Sequence, residues 1–340
     1  MRTRLTLSCG EYKRTRPLLD GRVTVAGHDI DMIPDPFPPT GLLGDYQYPR
    51  TLRMLDEKAF DICEMGMAPL VTAHSQGVPL VAIPVFHYRR FRHPYIFCRG
   101  AAGIETPADL AGRRVGVRRL NLSAGLWARA LLRHDYGVNL NDITWVVTVD
   151  VPLRDSVRNH LNVEVVRSGE SLEDLLARGD IDAMIEASSL SPEAREKAGV
   201  RRLLGEDTRQ LEVDYYARTG FFPIMHTIAL WREVAERHEG LCQALHEAFL
   251  RAREVGNRGG EPRSRYVLAA EEEDWWESLT PEQANVLCGG PGGPRDPWSY
   301  SLDEDGKTVE AFLDYAYEQG LTPERYPAAD LFVVPGRSGA

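Results

Sequence analysis

The chain has 340 residues, ample for a buried core and most naturally arranged as two domains or lobes. Its hydrophobic share of 43% and charged share of 26% are those of an ordinary globular protein. A net charge of -10 argues against nucleic acid as a partner, because no overall positive charge would release counterions from a phosphate backbone.

In chain order, Met1–Gly10 is too poor in apolar residues for a signal peptide and reads as a first strand, and a cytoplasmic location is the expectation. Further strands are expected at Asp61–Met65, Val78–Val85, Tyr95–Cys98, Arg114–Val117, Ile143–Val147, Val163–Val166, Ala183–Glu186 and Thr227–Leu230. Between and after them lie helical patterns at Gln47–Lys58, Ser123–Tyr136, Ser171–Arg178, Leu241–Asn257 and Asp303–Gln319. Short apolar runs alternating with amphipathic segments mark an α/β fold. Thr106 and Ser171 are placed to cap helices, and Gly137 and Gly320 to end them. The proline-rich stretch from Pro34 to Pro49 and the run Gly289–Pro294 read as loops, the latter incapable of regular structure, and Pro335–Ala340 as a disordered tail. No run of about 18 apolar residues is present, so no membrane span is expected. The five cysteines are scattered without a CxxC pair, which fits small reduced thiols and offers no metal framework.

Two segments concentrate chemistry. Thr219–Thr227 sets His226 straight after an apolar run and ahead of a helix expected near Leu230. Tyr88–Pro94 packs Arg89, Arg90, Arg92 and His93 around Phe91. A proton carrier beside a positive wall suggests a site for a small anionic, aromatic molecule. The plainer readings stand next to these. Arg14 and Arg16 also suit a solvated loop, at least one of Arg89, Arg90 and Arg92 a solvent-facing position or a structural ion pair, and Glu64 a partner for an arginine. His87, His134, His160, His238 and His246 read as ordinary surface or helix residues.

Arg14–Gly21, Phe60–Met65, Ile83–Phe86, Phe91–His93, Asp109–Val117, Gly179–Ala183, Phe222–Thr227 and Tyr315–Leu321 occur in an order that resembles the 4,5-dihydroxyphthalate decarboxylase family. Asp109–Val117 and Gly179–Ala183 recur across binding proteins of this fold; the arginine-rich, Phe-Arg-His and Phe-Pro-Ile-Met-His-Thr segments are the specific ones. The resemblance implies a two-lobed type II periplasmic-binding-protein-like fold. Residues 1–93 with 223–340 would form one lobe and 94–222 the other, with the ligand cleft between them and His93 and His226 at the crossovers. It also implies decarboxylation of a hydroxylated aromatic carboxylate by ring protonation and CO₂ loss, without a cofactor.

The expected acid is His226, with His93 second, and Glu64 either takes the phenolic proton or orients a histidine. Arg14, Arg16, Arg89 and Arg92 would grip the retained carboxylate, joined by Asn121, Ser123 and Ser188. Where the family carries an arginine near Ser188, this chain has Glu186-Ala187-Ser188-Ser189, which points to a ligand with one fewer negative charge. A monocarboxylated or amine-bearing arene is therefore as plausible as the phthalate. No nucleotide or flavin motif is present and no spacing argues for a metal, although a divalent ion is left open, as is a homo-oligomer. The alternatives on the same fold are a solute-binding or ligand-sensing protein and a dehydratase acting on a cyclic carboxylate.

Overall fold

The computed structural model describes residues 4–34, 48–149, 161–166, 170–259, 261, 267–290, 293–294 and 296–334. The chain divides into two compact α/β units. The first comprises residues 1–90, 224–310 and 327–340; the second comprises 91–223 and 311–326. Helix Leu302–Glu318 thus begins in one unit and ends in the other.

The first unit is built on strands β1 (Leu5–Cys9), β2 (Ile30–Pro34), β3 (Ile62–Gly66), β4 (Leu80–Arg89) and, from after the second unit, β11 (Ile224–Trp231). Their order is β2-β1-β3-β11-β4, with β1 parallel to β2 and β3, and β11 antiparallel to both its neighbours. All ten residues of β4 and all eight of β11 are buried, which explains why both read as continuous apolar runs rather than alternating ones. The second unit carries β5 (Ile96–Arg99), β6 (Arg114–Val117), β7 (Thr144–Val147), β8 (Asn162–Val165), β9 (Ala183–Ile185) and β10 (Val200–Arg202), ordered β10-β5-β9-β6-β7-β8.

Local chemistry accounts for several boundaries. Thr106 and Asp109 form a capping box over the short 3₁₀ helix Pro107–Leu110, and the Ser171 hydroxyl accepts from the Asp174 amide at 3.0 Å. Gly137 and Gly320 take positive φ, as helix-ending glycines do. Strands β2 and β10 and helices Met67–Ser75, Arg209–Thr219, Val267–Glu277 and Pro281–Cys288 are not among the expected elements, although Thr280 and Gln283 form a capping box with Pro281 at the start of the last. The helix expected near Leu230 starts later, at Arg232, because Leu230 and Trp231 still belong to β11. The glycine-rich run corrects another expectation, since Gly289 and Gly290 pair with Pro294 and Gly293 as a two-residue ladder. Most of the proline-rich stretch, at 35–47, and the tail 335–340 lie outside the described residues.

Helix Leu241–Asn257 crosses the loop after β1 at a glycine. A Cβ on Gly256 would collide with the Lys13 carbonyl, and the next nearest atom, Arg14 Cα, is also backbone. Close approach is what glycine supplies here.

Among the described residues no helix is long and apolar enough to cross a membrane. All five cysteines are free thiols, in keeping with their scattered spacing.

Candidate functional site

Sheet register brings the first two site residues together. Glu64 on β3 stands opposite Ile228 on β11, and His226 lies two residues from Ile228, on the same face. Diagonal neighbours on one sheet face are within reach of long side chains, and His226 Nδ1 meets Glu64 Oε1 at 2.5 Å. A third residue arrives through an irregularity. Ile228 pairs with Ile83 but His226 pairs with Tyr88, so a two-residue step along β11 matches a five-residue step along β4. Pro84 sits in this stretch and has no N–H to give the ladder, which favours such a break. The slip carries His87 to the Glu64 carboxylate, with Nε2 3.3 Å from Oε1.

Glu64 is the hub. Its Oε2 accepts from the Gly10 amide at 2.6 Å and faces Arg50 Nη1 at 2.8 Å. Its Oε1 also accepts from the Tyr12 hydroxyl at 2.9 Å. Burial disfavours the charged carboxylate, but Arg50, His87 and His226 overcome it and hold Glu64 well below the usual carboxylate range. An ionised Glu64 only accepts hydrogen bonds, so His226 Nδ1 carries its proton toward it. That leaves Nε2 as the atom that can exchange a proton with a ligand. The His226 side chain retains 7% exposure and packs against Tyr88 at 4.9 Å between ring centroids. Burial lowers its proton affinity, which Glu64 offsets only in part.

The loop carrying Tyr12 is fixed by Thr15, whose hydroxyl donates to the Gly10 carbonyl at 2.6 Å and accepts from the Tyr12 amide at 2.9 Å. Arg14 continues this scaffold. Its guanidinium donates to the His87 carbonyl at 2.8 Å, pairs with Glu272 and lies 4.3 Å over the Trp298 ring. Arg14 and Arg16 are buried, which corrects the reading of a solvated loop; Arg16 pairs with Glu11 and Glu261. Arg89 is bound by Asp305 and the Ser299 carbonyl, and Arg90 by Glu271. The structure therefore places Arg14, Arg16 and Arg89 on the chain's own carboxylates, the arrangement a buried guanidinium requires.

The remaining candidates lie in the second unit. Arg92 donates to the Glu186 and Ala187 carbonyls at 2.5 and 3.1 Å and stacks 3.9 Å over the Tyr95 ring. His93 is enclosed by Phe91 and Tyr215, and burial with nearby Arg218 pushes it down to about 4, so it is neutral near pH 7. Asn121 and Ser123 lead into helix Ser123–His134, where buried Arg129 donates to the Leu120 carbonyl at 2.7 Å and steadies that entry. Ser188 is 2% exposed, and neighbouring Glu186 is pushed by burial up to about 7.

Sequence reasoning missed Tyr12, Arg50 and His87. His87 is corrected from a surface or helix residue to a fully buried strand residue, and its one signal is being a polar side chain inside the apolar run of β4. His134 and His246 lie on helices and His238 ends one, whereas His160 lies outside the described residues. Glu64, His87 and His226 each bring a donor atom within 4.8 Å of the others, a convergence no linear spacing announces.

The chain is 33% identical over 337 residues to a 4,5-dihydroxyphthalate decarboxylase of Comamonas testosteroni, covering 96% of each. It is 34% identical over 195 residues to one of Pseudomonas putida, covering 53% of this chain and 69% of that protein. Residues 47–160 match the domain family described as "NMT1/THI5 like". Among solved structures, the periplasmic aliphatic sulphonate binding protein SsuA of Escherichia coli aligns with a TM-score of 0.53 at 18% identity, covering 100% of this chain and 95% of that one. That likeness shows the periplasmic-binding-protein fold.

Proposed function

The chain belongs to the 4,5-dihydroxyphthalate decarboxylase family, and from that premise we propose that it is a carboxy-lyase acting on a hydroxylated aromatic carboxylate of the 4,5-dihydroxyphthalate class. The observation that carries the reading is the Glu64–His226 pair, which fixes an imidazole with Nε2 turned away from its carboxylate. In such a substrate each carboxylate has a hydroxyl para to it, which supplies electron density to the ring carbon. His226 Nε2 gives its proton to that carbon, and a C–H bond forms. The C–C bond to the carboxylate then breaks, its electron pair restores the aromatic ring, and CO₂ leaves.

In the ligand-free protein burial favours the neutral imidazole. An arriving carboxylate adds negative charge beside Nε2 and favours the imidazolium, so the acid is loaded as the substrate binds. Glu64 stabilises that imidazolium and holds the ring's orientation, with Arg50, Tyr12 and the Gly10 amide fixing Glu64 in turn. On this reading no cofactor takes part, and the acid supplies a factor of about 10²–10⁴.

The test is product detection by mass spectrometry from a panel of ortho- and para-hydroxylated aryl carboxylates, with and without chelator, beside His226→Gln. Loss of CO₂ that falls 10²-fold or more in the variant while ligand binding persists is the expected result. Unchanged turnover in His226→Gln overturns the acid assignment. Tight binding of a panel member without turnover overturns the carboxy-lyase reading.

A further inference from the structure

We infer that Glu64, His87 and His226 form a binding site for a divalent transition-metal ion of the zinc class, and that filling it arrests ring protonation. The second half rests on the carboxy-lyase reading; the first does not.

Three donors from three strands converge in a buried place: Glu64 Oε1, His87 Nε2 and His226 Nδ1, all within 4.8 Å of one another. Two imidazoles and one carboxylate are the ligand types that zinc and its neighbours take. His87 supplies the pointed observation. Its side chain is fully buried, and Nε2 lacks a well-formed hydrogen bond although Glu64 Oε1 lies 3.3 Å away. Its other ring nitrogen faces the Val85 carbonyl at 3.4 Å, the kind of partner that turns the opposite nitrogen's lone pair toward a metal. Two donor atoms on one tetrahedral ion at ordinary zinc bond lengths stand about 3.3 Å apart, which is the His87–Glu64 separation. The His226–Glu64 contact, at 2.5 Å, would open by under about 1 Å to admit the ion.

The carboxylate is already braced for such a role through its other oxygen, by Arg50 and the Gly10 amide. Arg50 also offsets the one negative charge of the donor set. The affinity expected is therefore micromolar, about 1–100 µM, rather than that of a structural zinc site. An ion on His226 Nδ1 replaces the proton that the ring now directs at Glu64. The ring then keeps its proton on Nε2 as a metal-bound neutral imidazole, a far weaker acid than the imidazolium, and delivery of that proton to the ring carbon stops.

The test is titration of the metal-free protein with zinc by calorimetry, and with cobalt(II) by visible absorption, in parallel with turnover. One zinc per chain, a tetrahedral cobalt spectrum, loss of both in His87→Gln with thermal unfolding otherwise preserved, and turnover falling as zinc fills the site are the expected results. Zinc binding weaker than millimolar in the wild-type protein overturns the site, whatever His87→Gln does. Binding that survives in both His87→Gln and His226→Gln overturns it too, as ions held elsewhere. Zinc bound at this site with turnover undiminished overturns the arrest alone. Absence of turnover without zinc bears on the proposed activity and leaves the metal measurement intact.

Discussion

Glu64 is gripped at once by Gly10, Tyr12, Arg50 and His226, and nearly all of its function follows from that crowding. Removing its charge takes the Glu64 carboxylate from the Arg50 guanidinium, whose side chain is 1% exposed. Breaking one side of a buried ion pair costs about 3–5 kcal/mol. Glu64→Gln should therefore lose that much stability in denaturant unfolding, and Glu64→Gln with Arg50→Met should recover part of it; equal loss in both would mean the pair is not coupled. His226 makes a separate prediction through pH. Because the free ring's proton affinity lies below the ordinary 6.5, kcat/KM should decline as pH rises through that lower value. The decline of kcat, which reports the loaded complex, should fall at higher pH. Coincident declines would show that substrate does not load the acid.

At the scale of elements, two features set the site: the slip in β4 at Pro84 and the glycine contact beneath the β1 loop. Gly256→Ala would ordinarily stabilise a helix by about 1 kcal/mol. Here the added methyl meets Lys13 backbone rather than a pliant side chain, so the variant should lose about 1–3 kcal/mol. Its thermal midpoint should drop, and turnover with it, since Tyr12 and Arg14 share the displaced loop. A rise in midpoint would show that the loop yields freely. The same features mark what was legible in the sequence. His226 and Glu64 could be found, because each sits in a short motif on a strand whose apolar character is plain. His87 could not, because period-two alternation carries no notice of an irregularity that sets a five-residue step against a two-residue one. Arg50 was hidden for a related reason: its helix is readable, but its charge partner lies on another element and no local pattern points there. The clustered arginines were readable as a positive wall, and their burial was not. Their partners, Glu272, Asp305 and Glu271, come from distant segments that an account of local motifs does not reach.

For the molecule as a whole, two buried groups of the second unit set opposing responses to acidity. His93 titrates at about 4 against an ordinary 6.5, so the unfolded chain binds the extra proton and stability is lost as pH falls through that window. Glu186 titrates at about 7 against an ordinary 4.5, so the folded chain binds the extra proton and stability is lost as pH rises through its window. Between pH 4.5 and 6.5 the two slopes cancel. Glu186→Gln should remove one of these two slopes, so its stability should gain about 2–3 kcal/mol on that of the wild-type protein as pH rises across those two units. A profile parallel to that of the wild-type protein would refute the compensation. Thermal unfolding at half-unit pH steps is the measurement.

The insertion of β11 between β3 and β4 has a consequence for synthesis. As the chain leaves the ribosome, β3 and β4 appear first, and neither can pair with the other in the finished order. Their shared gap waits through residues 91–223, the greater part of the second unit, until residues 224–231 emerge. Meanwhile two largely apolar strands, carrying Glu64, His87 and Arg89 among them, expose unpaired edges, the condition under which nascent chains associate wrongly. The strand that ends this exposure also delivers His226 to Glu64. Completion of the sheet and assembly of the proton site are thus a single late event, and a chain halted before residue 224 has neither.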